Sequence, residues 1–313
     1  MSALRLGTRA SLLATTQSGH VADALRAATG REVELVPITT AGDVLTGPLA
    51  QLGGTGVFVA ALREALLRGD CDLVVHSMKD LPTADVPGLR IAAVPPRVSA
   101  RDALCARDGL TLDELPRGAR VGSGSPRRVA QLRRRRPDLE VAGIRGNVDT
   151  RLRKVDDGEF DAIVLAEAGL TRIARIARIT ELFADADWPT SAGQGALAVE
   201  VRAGDAVGDD VALISEVASA EVALLERAVL RRLEAGCAAP VGIVASHGPA
   251  GDRVALVAEV YALDGARAVR VERTFARTAI ADEDGRVHAA DAVVTALLAA
   301  GAGDLADLAG SSR

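Results

Sequence analysis

Two hydrophobic periods alternate through the first two hundred residues of this chain. Short apolar runs entered from polar residues, such as Asp72-Leu-Val-Val75 and Asp161-Ala-Ile-Val164, read as strands buried on both faces. The segments between them carry the wider spacing of amphipathic helices, and this alternation predicts parallel sheets built from βαβ units. A weak internal repeat sharpens the picture. Leu4-Arg-Leu-Gly-Thr-Arg-Ala-Ser11 and Ala119-Arg-Val-Gly-Ser-Gly-Ser125 each give a strand, a Gly-hydroxyl turn and a helix start, and the run 69–75 parallels 158–164. The first pair lies 115 positions apart (4 to 119) and the second 89 (69 to 158), so the first unit carries 26 additional residues. Much of that excess falls in the Gly-rich stretch 41–56, which reads as a mobile loop.

Beyond residue 195 the pattern changes. One more strand is expected at 196–201, then a long helix from about 211 to 233 that Gly236 is placed to cap. Apolar alternation at 241–246, 254–261 and 268–275 gives three strands, with helices from about 288 onward. The expectation is an α/β protein of two similar lobes and a small α+β third domain of a three-stranded sheet and helices. Lobe 1 takes residues 1–98 plus 195–214, lobe 2 takes 99–194, and the third domain takes 215–313. In such sheets ligands bind beyond the carboxyl ends of the strands, where the Gly-hydroxyl turns sit.

Charge then singles out one stretch. The chain has a formal charge of -5, yet residues 120–154 hold eleven basic and three acidic side chains, leaving 26 basic and 39 acidic elsewhere. A surplus of +8 therefore sits on 35 positions, against -13 on the rest. Arg127 and Arg128 follow a Gly/Ser turn, and Arg145 and Arg151 bracket Gly-Asn-Val-Asp-Thr, so guanidinium forks and helix-start N–H groups are aimed at an anion. The run Arg133 to Arg136 reads as a solvated helix face. Nucleic acid is excluded as the anion, because one Trp, one Tyr and four Phe supply no stacking platform within the basic stretch, and the acidic remainder repels a polyanion. A small, multiply charged ligand fits better. No run approaches the ~20 apolar residues of a membrane helix, and the N-terminus lacks a signal-peptide pattern, so a cytoplasmic location is expected. Cys71, Cys105 and Cys237, with four scattered His, give neither a disulfide framework nor a metal site.

Three further features could carry chemistry. Val74-Val-His-Ser-Met-Lys-Asp80-Leu-Pro82 leaves a buried strand and presents Ser77, Lys79 and Asp80. Asp80 is either an ordinary turn residue or an ionised carboxylate that stabilises a cation inside an anion site. Cys237, in a small flexible Gly-Cys-Ala-Ala-Pro loop, is either a covalent attachment point or a plain loop residue, whereas Cys71 and Cys105 lie in apolar strand patterns and read as inert core. Arg9 and Ser11 repeat the anion-cradle logic at the first helix, and Gln194 between two glycines could lie at a chain crossing. Lys79 and Lys154 stand alone against 35 arginines.

Taken together, Gly-Thr-Arg-Ala-Ser (7–11), Val-His-Ser-Met-Lys-Asp-Leu-Pro (75–82), Ser-Pro-Arg-Arg (125–128), Arg-Gly-Asn-Val-Asp-Thr-Arg-Leu (145–152), Gly-Gln-Gly-Ala (193–196) and Arg-Leu-Glu-Ala-Gly-Cys (232–237) resemble the porphobilinogen deaminase family, from Leu4 to the C-terminal helices. The resemblance implies two lobes like type 2 periplasmic binding proteins and a third domain. It implies a monomer that condenses four porphobilinogen molecules head to tail, with loss of ammonia, into 1-hydroxymethylbilane. The primer it implies is a dipyrromethane cofactor in thioether linkage to Cys237. By motif position, Arg9, Ser11, Ser77, Ser123, Ser125, Arg127, Arg128, Arg145, Arg151, Arg178 and Gln194 would hold cofactor and substrate carboxylates, and Asp80 with Lys79 would be catalytic. Two rings of cofactor and four of substrate bring twelve carboxylates, which accounts for the arginines. Gln51 and Thr55 stand where many members have loop lysines, Ser-Gly-Ser-Pro-Arg-Arg replaces Ser-Ser-Leu-Arg-Arg, and Thr-Ser-Ala-Gly-Gln-Gly lacks a proline. The alternative is a non-catalytic two-lobed binding or sensing module for a carboxylate ligand.

Overall fold

The computed structural model describes residues 2–39, 56–235, 239–306 and 308. The expected mobile loop lies, up to residue 55, outside the described residues, as do Gln51, Thr55, Gly236 and Cys237. The chain forms two compact units, 1–98 with 196–220 and 99–195 with 221–313.

In the first unit, β1 (Leu4–Thr8), β2 (Val33–Pro37), β3 (Leu73–Ser77), β4 (Leu89–Ala93) and β10 (Leu197–Arg202) form one sheet in the order β2-β1-β3-β10-β4. β1 runs parallel to β2 and β3, while β10 is antiparallel to β3 and β4. Both faces are covered, which is why β3 is apolar without alternation. Leu73 and Val75 pack with Val21 and Leu25 of α1 (Leu12–Thr29), whereas Val74 packs with Leu62 and Leu66 of α2 (Gly56–Arg68). The helical pattern expected from 211 breaks into α6 (Val207–Ala212) and α7 (Val217–Arg232). The break has a physical cause: the Glu216 carboxylate accepts from the N–H groups of Ala218 and Ser219, starting a new helix, while the Ser215 hydroxyl accepts from Val94 N–H.

The second unit repeats the topology. β5 (Asp102–Ala106), β6 (Arg120–Gly122), β7 (Glu140–Ala142), β8 (Ala162–Ala166) and β9 (Glu181–Leu182) run in the order β7-β6-β8-β5-β9. Here β6 is parallel to β7 and β8, and β5 is antiparallel to β8 and β9. β1 and β6, and β3 and β8, thus occupy equivalent places, as the sequence repeat implies. The same unit holds the antiparallel sheet β11 (Val241–His247), β12 (Arg253–Tyr261) and β13 (Ala268–Ala276), whose inner face packs on Leu225 and Val229 of α7 and on Val293 and Leu297 of α8 (Glu283–Ala299). α8 starts five residues before the expected 288, because the Asp282 side chain caps it by accepting from Gly285 N–H. Glu234 takes a left-handed conformation (φ 47) at the end of α7, two residues before the glycine expected to serve there. Among the described residues no helix is long and apolar enough to cross a membrane.

Candidate functional site

Most of the side chains expected to form a site lie at strand-to-helix junctions, and each unit presents its own set. In the first, β1 ends at Thr8 and Ser11 caps α1 by accepting from Ala14 N–H at 3.4 Å. Gly7 is dictated by packing: a Cβ there would lie 2.8 Å from the Cys71 sulfur. Both Cys71 and Cys105 are buried, and burial pushes their thiols up to about 11 and about 12. β3 leads through Ser77 into a 3₁₀ turn, Met78–Asp80. Met78 and Leu81 are buried anchors, and Met78 N–H donates to the Ala196 carbonyl at 3.0 Å, so Lys79 and Asp80 are held between them, half-buried. Gln17 of α1 donates to the Ser77 hydroxyl at 2.8 Å, and Ser18 donates to Thr8 at 2.8 Å, tying the two junctions together. The Asp80 carboxylate takes no hydrogen bond or ion pair among the described residues.

Behind this turn lies a buried charged group. Glu200 on β10 receives two bonds from Arg63 of α2, at 2.9 and 2.7 Å, and lies 3.0 Å from His76 Nε2. Burial alone would raise the Glu200 pKa, but the bonds from Arg63 and His76 outweigh it and hold the carboxyl at about 2.

In the second unit, Ser125 caps α3 (Pro126–Arg135), with Pro126 in the first turn, and Asn147 caps α4 (Val148–Asp156) by accepting from Thr150 N–H at 2.8 Å. Gly146 adopts φ +114, which a side chain would strain, and this turns the chain between exposed Arg145 and half-buried Arg151, whose Nε donates to the Gly146 carbonyl at 2.8 Å. Arg145 has no ion pair among the described residues. Ser123 is buried and accepts from Ser125 N–H at 3.2 Å.

Arg127 and Arg128 turn inward on the first turn of α3. Fully buried Asp102, the first residue of β5, accepts from Arg127 Nη1 at 2.9 Å and from Arg128 Nε and Nη2 at 3.0 and 2.6 Å. It also accepts from Trp188 Nε1 at 3.0 Å and Gln194 Nε2 at 2.8 Å. Burial works against its charge, yet the two guanidiniums hold its carboxyl far below the usual range. Gln194 is completely buried and also donates to the Ala100 carbonyl, so its amide organises the cluster from inside. Glu226 of α7 completes the framework by accepting from Gly193 and Ala245 N–H groups at 2.6 and 2.7 Å.

Arg133 to Arg135 are exposed, as expected of a solvated face, but Arg136 is bound to Asp138 at 2.8 Å and to the carbonyls of Leu112 and Leu115. Lys154 pairs with Glu159 at 2.8 Å. Arg178 is engaged by Asp156. Arg172, at the end of α5 (Glu167–Arg172), is framed by no sequence motif. It donates to the Gly195 carbonyl at 2.7 Å, and burial alone lowers its pKa to about 10, with no acid contributing. Its signal is an arginine whose charge is desolvated with no carboxylate paired to it among the described residues, a property only the fold creates.

Residues 4–209 match the family described as porphobilinogen deaminase, dipyromethane cofactor binding domain, and residues 220–291 match porphobilinogen deaminase, C-terminal domain. The porphobilinogen deaminase of Leifsonia xyli subsp. xyli is 51% identical over 320 residues, covering 98% of this chain and 95% of its own. That of Thermobifida fusca is 54% identical, covering 89% and 87%. Among solved structures, the methionine-binding protein MetQ is similar with a TM-score of 0.43 at 13% identity, over 72% of this chain and 93% of its own.

Proposed function

The chain belongs to the porphobilinogen deaminase family, and on that premise we propose how its side chains share the work. The enzyme is a transferase of tetrapyrrole biosynthesis: it joins four porphobilinogen molecules head to tail, releasing ammonia at each addition, to give 1-hydroxymethylbilane. Its bound dipyrromethane supplies the primer, a pyrrole with a free α-carbon nucleophile to which units are added. The family's C-terminal domain, matched over 220–291, favours this over a solute-binding module.

The observation that carries the residue assignment is the buried pair Arg127 and Arg128 sharing the single acid Asp102. A cofactor bearing acetates and propionates fits a cluster that is short of negative charge. In this reading Arg127 and Arg128 anchor cofactor carboxylates, helped by Ser123 and Ser125. Arg145, Arg151, Arg9 and Ser11 hold carboxylates of the growing chain. Arg172 joins them in preference to Arg178, which Asp156 already neutralises. Gln194 acts from within by orienting Arg128. Asp80, without a cationic partner of its own among the described residues, stabilises the positive charge that develops on the substrate methylene as ammonia leaves, with Lys79 beside it in the same turn. Ser77 fixes this turn through Gln17. Cys237 is the attachment residue on its motif alone. A cytoplasmic monomer acting on porphobilinogen is the form proposed, in keeping with the family the chain belongs to.

The test replaces arginines singly and weighs the purified protein. Arg127→Leu and Arg128→Leu impair acquisition of the cofactor mass, whereas Arg9→Leu retains it and slows chain growth. Each lost charge-assisted contact costs about 1.5–3 kcal/mol, roughly ten- to a hundred-fold in affinity. Losses below about twofold at all three positions would overturn the assignment.

A further inference from the structure

The charges buried around α3 do not balance. Asp102 supplies one negative charge, Arg127 and Arg128 supply two positive ones, and none of the three is more than 7% exposed. Their other partners are neutral: Gln131 at 2.7 Å and the Pro189 carbonyl for Arg127, and Gln194 and the Val164 carbonyl for Arg128. Two further buried acids of this unit are engaged elsewhere: Glu259 pairs with Arg270 at 3.2 Å, and Glu226 accepts from the Gly193 and Ala245 N–H groups at 2.6 and 2.7 Å. Arg127 Nε is buried with no hydrogen-bond partner among the described residues, so a donor remains available. An unpaired buried charge is strongly unfavourable, and a bound anion would remove the imbalance.

We propose that Asp102 is the positioning residue of the cofactor site and Gln131 the residue that keeps it open: together they fix two guanidiniums while leaving a surplus of one positive charge, matched to one cofactor carboxylate. The proposal rests on the reading that Arg127 and Arg128 hold cofactor carboxylates. Asp102 grips Arg128 through both Nε and Nη2 and Arg127 through Nη1, so neither fork can swing away. Gln131 lies where a Glu of the same shape would form an ion pair with Arg127. Its own amide is held by the Pro189 carbonyl at 3.0 Å and the Tyr261 hydroxyl at 2.9 Å, so its position is fixed by the framework.

The test is Gln131→Glu in the full chain. The new carboxylate keeps the bond from Arg127, Pro189 keeps its own bond from Arg127, and the Tyr261 hydroxyl, which hydrogen-bonds Glu259, is shared between the two carboxylates. Completing the charge balance, the substitution leaves the melting temperature of the cofactor-free protein equal to the parent's or higher. Incubated with limiting porphobilinogen, the variant acquires the cofactor mass about tenfold less, the scale of one charge-assisted contact. Normal loading overturns the proposal, and so does a lower melting temperature of the cofactor-free variant. Arg127→Leu and Arg128→Leu, run alongside, separate the two layers. If both still load, the reading of these arginines as carboxylate ligands fails. If both lose loading while Gln131→Glu loads normally, the charge surplus alone fails.

Discussion

Among the described residues Asp80 takes no ion pair, whereas Asp72, eight residues earlier, is bound by Arg5 at 2.7 Å. An unengaged carboxylate between two buried anchors is available to a developing cation. Asp80→Asn retains shape and hydrogen bonding but loses the charge, so turnover falls by about 10² or more while melting temperature and cofactor mass stay near the parent's. Near-normal turnover in the folded variant removes Asp80 from the mechanism. Arg172 and Arg178 make a second comparison. Arg172→Leu raises KM for porphobilinogen about tenfold or more, whereas Arg178→Leu changes it by less than about twofold, read from steady-state kinetics. Motif spacing could point to Arg127 and Arg128 but not to their inward orientation, because the acid that turns them, Asp102, lies 25 residues earlier in the sequence.

At the scale of elements, three caps written in the sequence are made in the fold: Ser11, Ser125 and Asn147 each accept the N–H three residues on. Local hydrogen bonding decides such ends, so they are legible from short motifs. The single helix expected over 211–233 was not, since the Glu216 carboxylate restarts the helix in the midst of an apolar pattern that runs on. The Glu200 group is likewise a product of pairing between distant strands. Its carboxyl is held at about 2 against an ordinary 4.5, so its stabilisation is complete above the ordinary value and lost as pH falls toward about 2. Glu200→Gln therefore lowers stability at neutral pH by about 3 kcal/mol and flattens the decline of melting temperature through that acid window. Parallel thermal scans check this, and an unchanged acid limb would contradict it.

At the scale of the molecule, the strand orders of the two five-stranded sheets are the same, and the faint repeat of Leu4–Ser11 with Ala119–Ser125 marks their equivalent strands. Duplication places a capped helix start, with an arginine beside it, at matching points of each sheet. The second copy adds the buried acid and the framework from β12 and α7 that fix its arginines, through Gln131 with Tyr261 and through Glu226. A cofactor held by carboxylates and tethered to Cys237 is the central claim, and intact-mass measurement with peptide mapping tests it most directly. Purified, active protein is expected to be heavier than its sequence by one dipyrromethane bearing two acetates and two propionates. The increment should lie on the peptide containing Cys237 and be absent from Cys237→Ser, which is inactive. Fully active protein of unmodified mass, or an increment on another residue, would contradict the account.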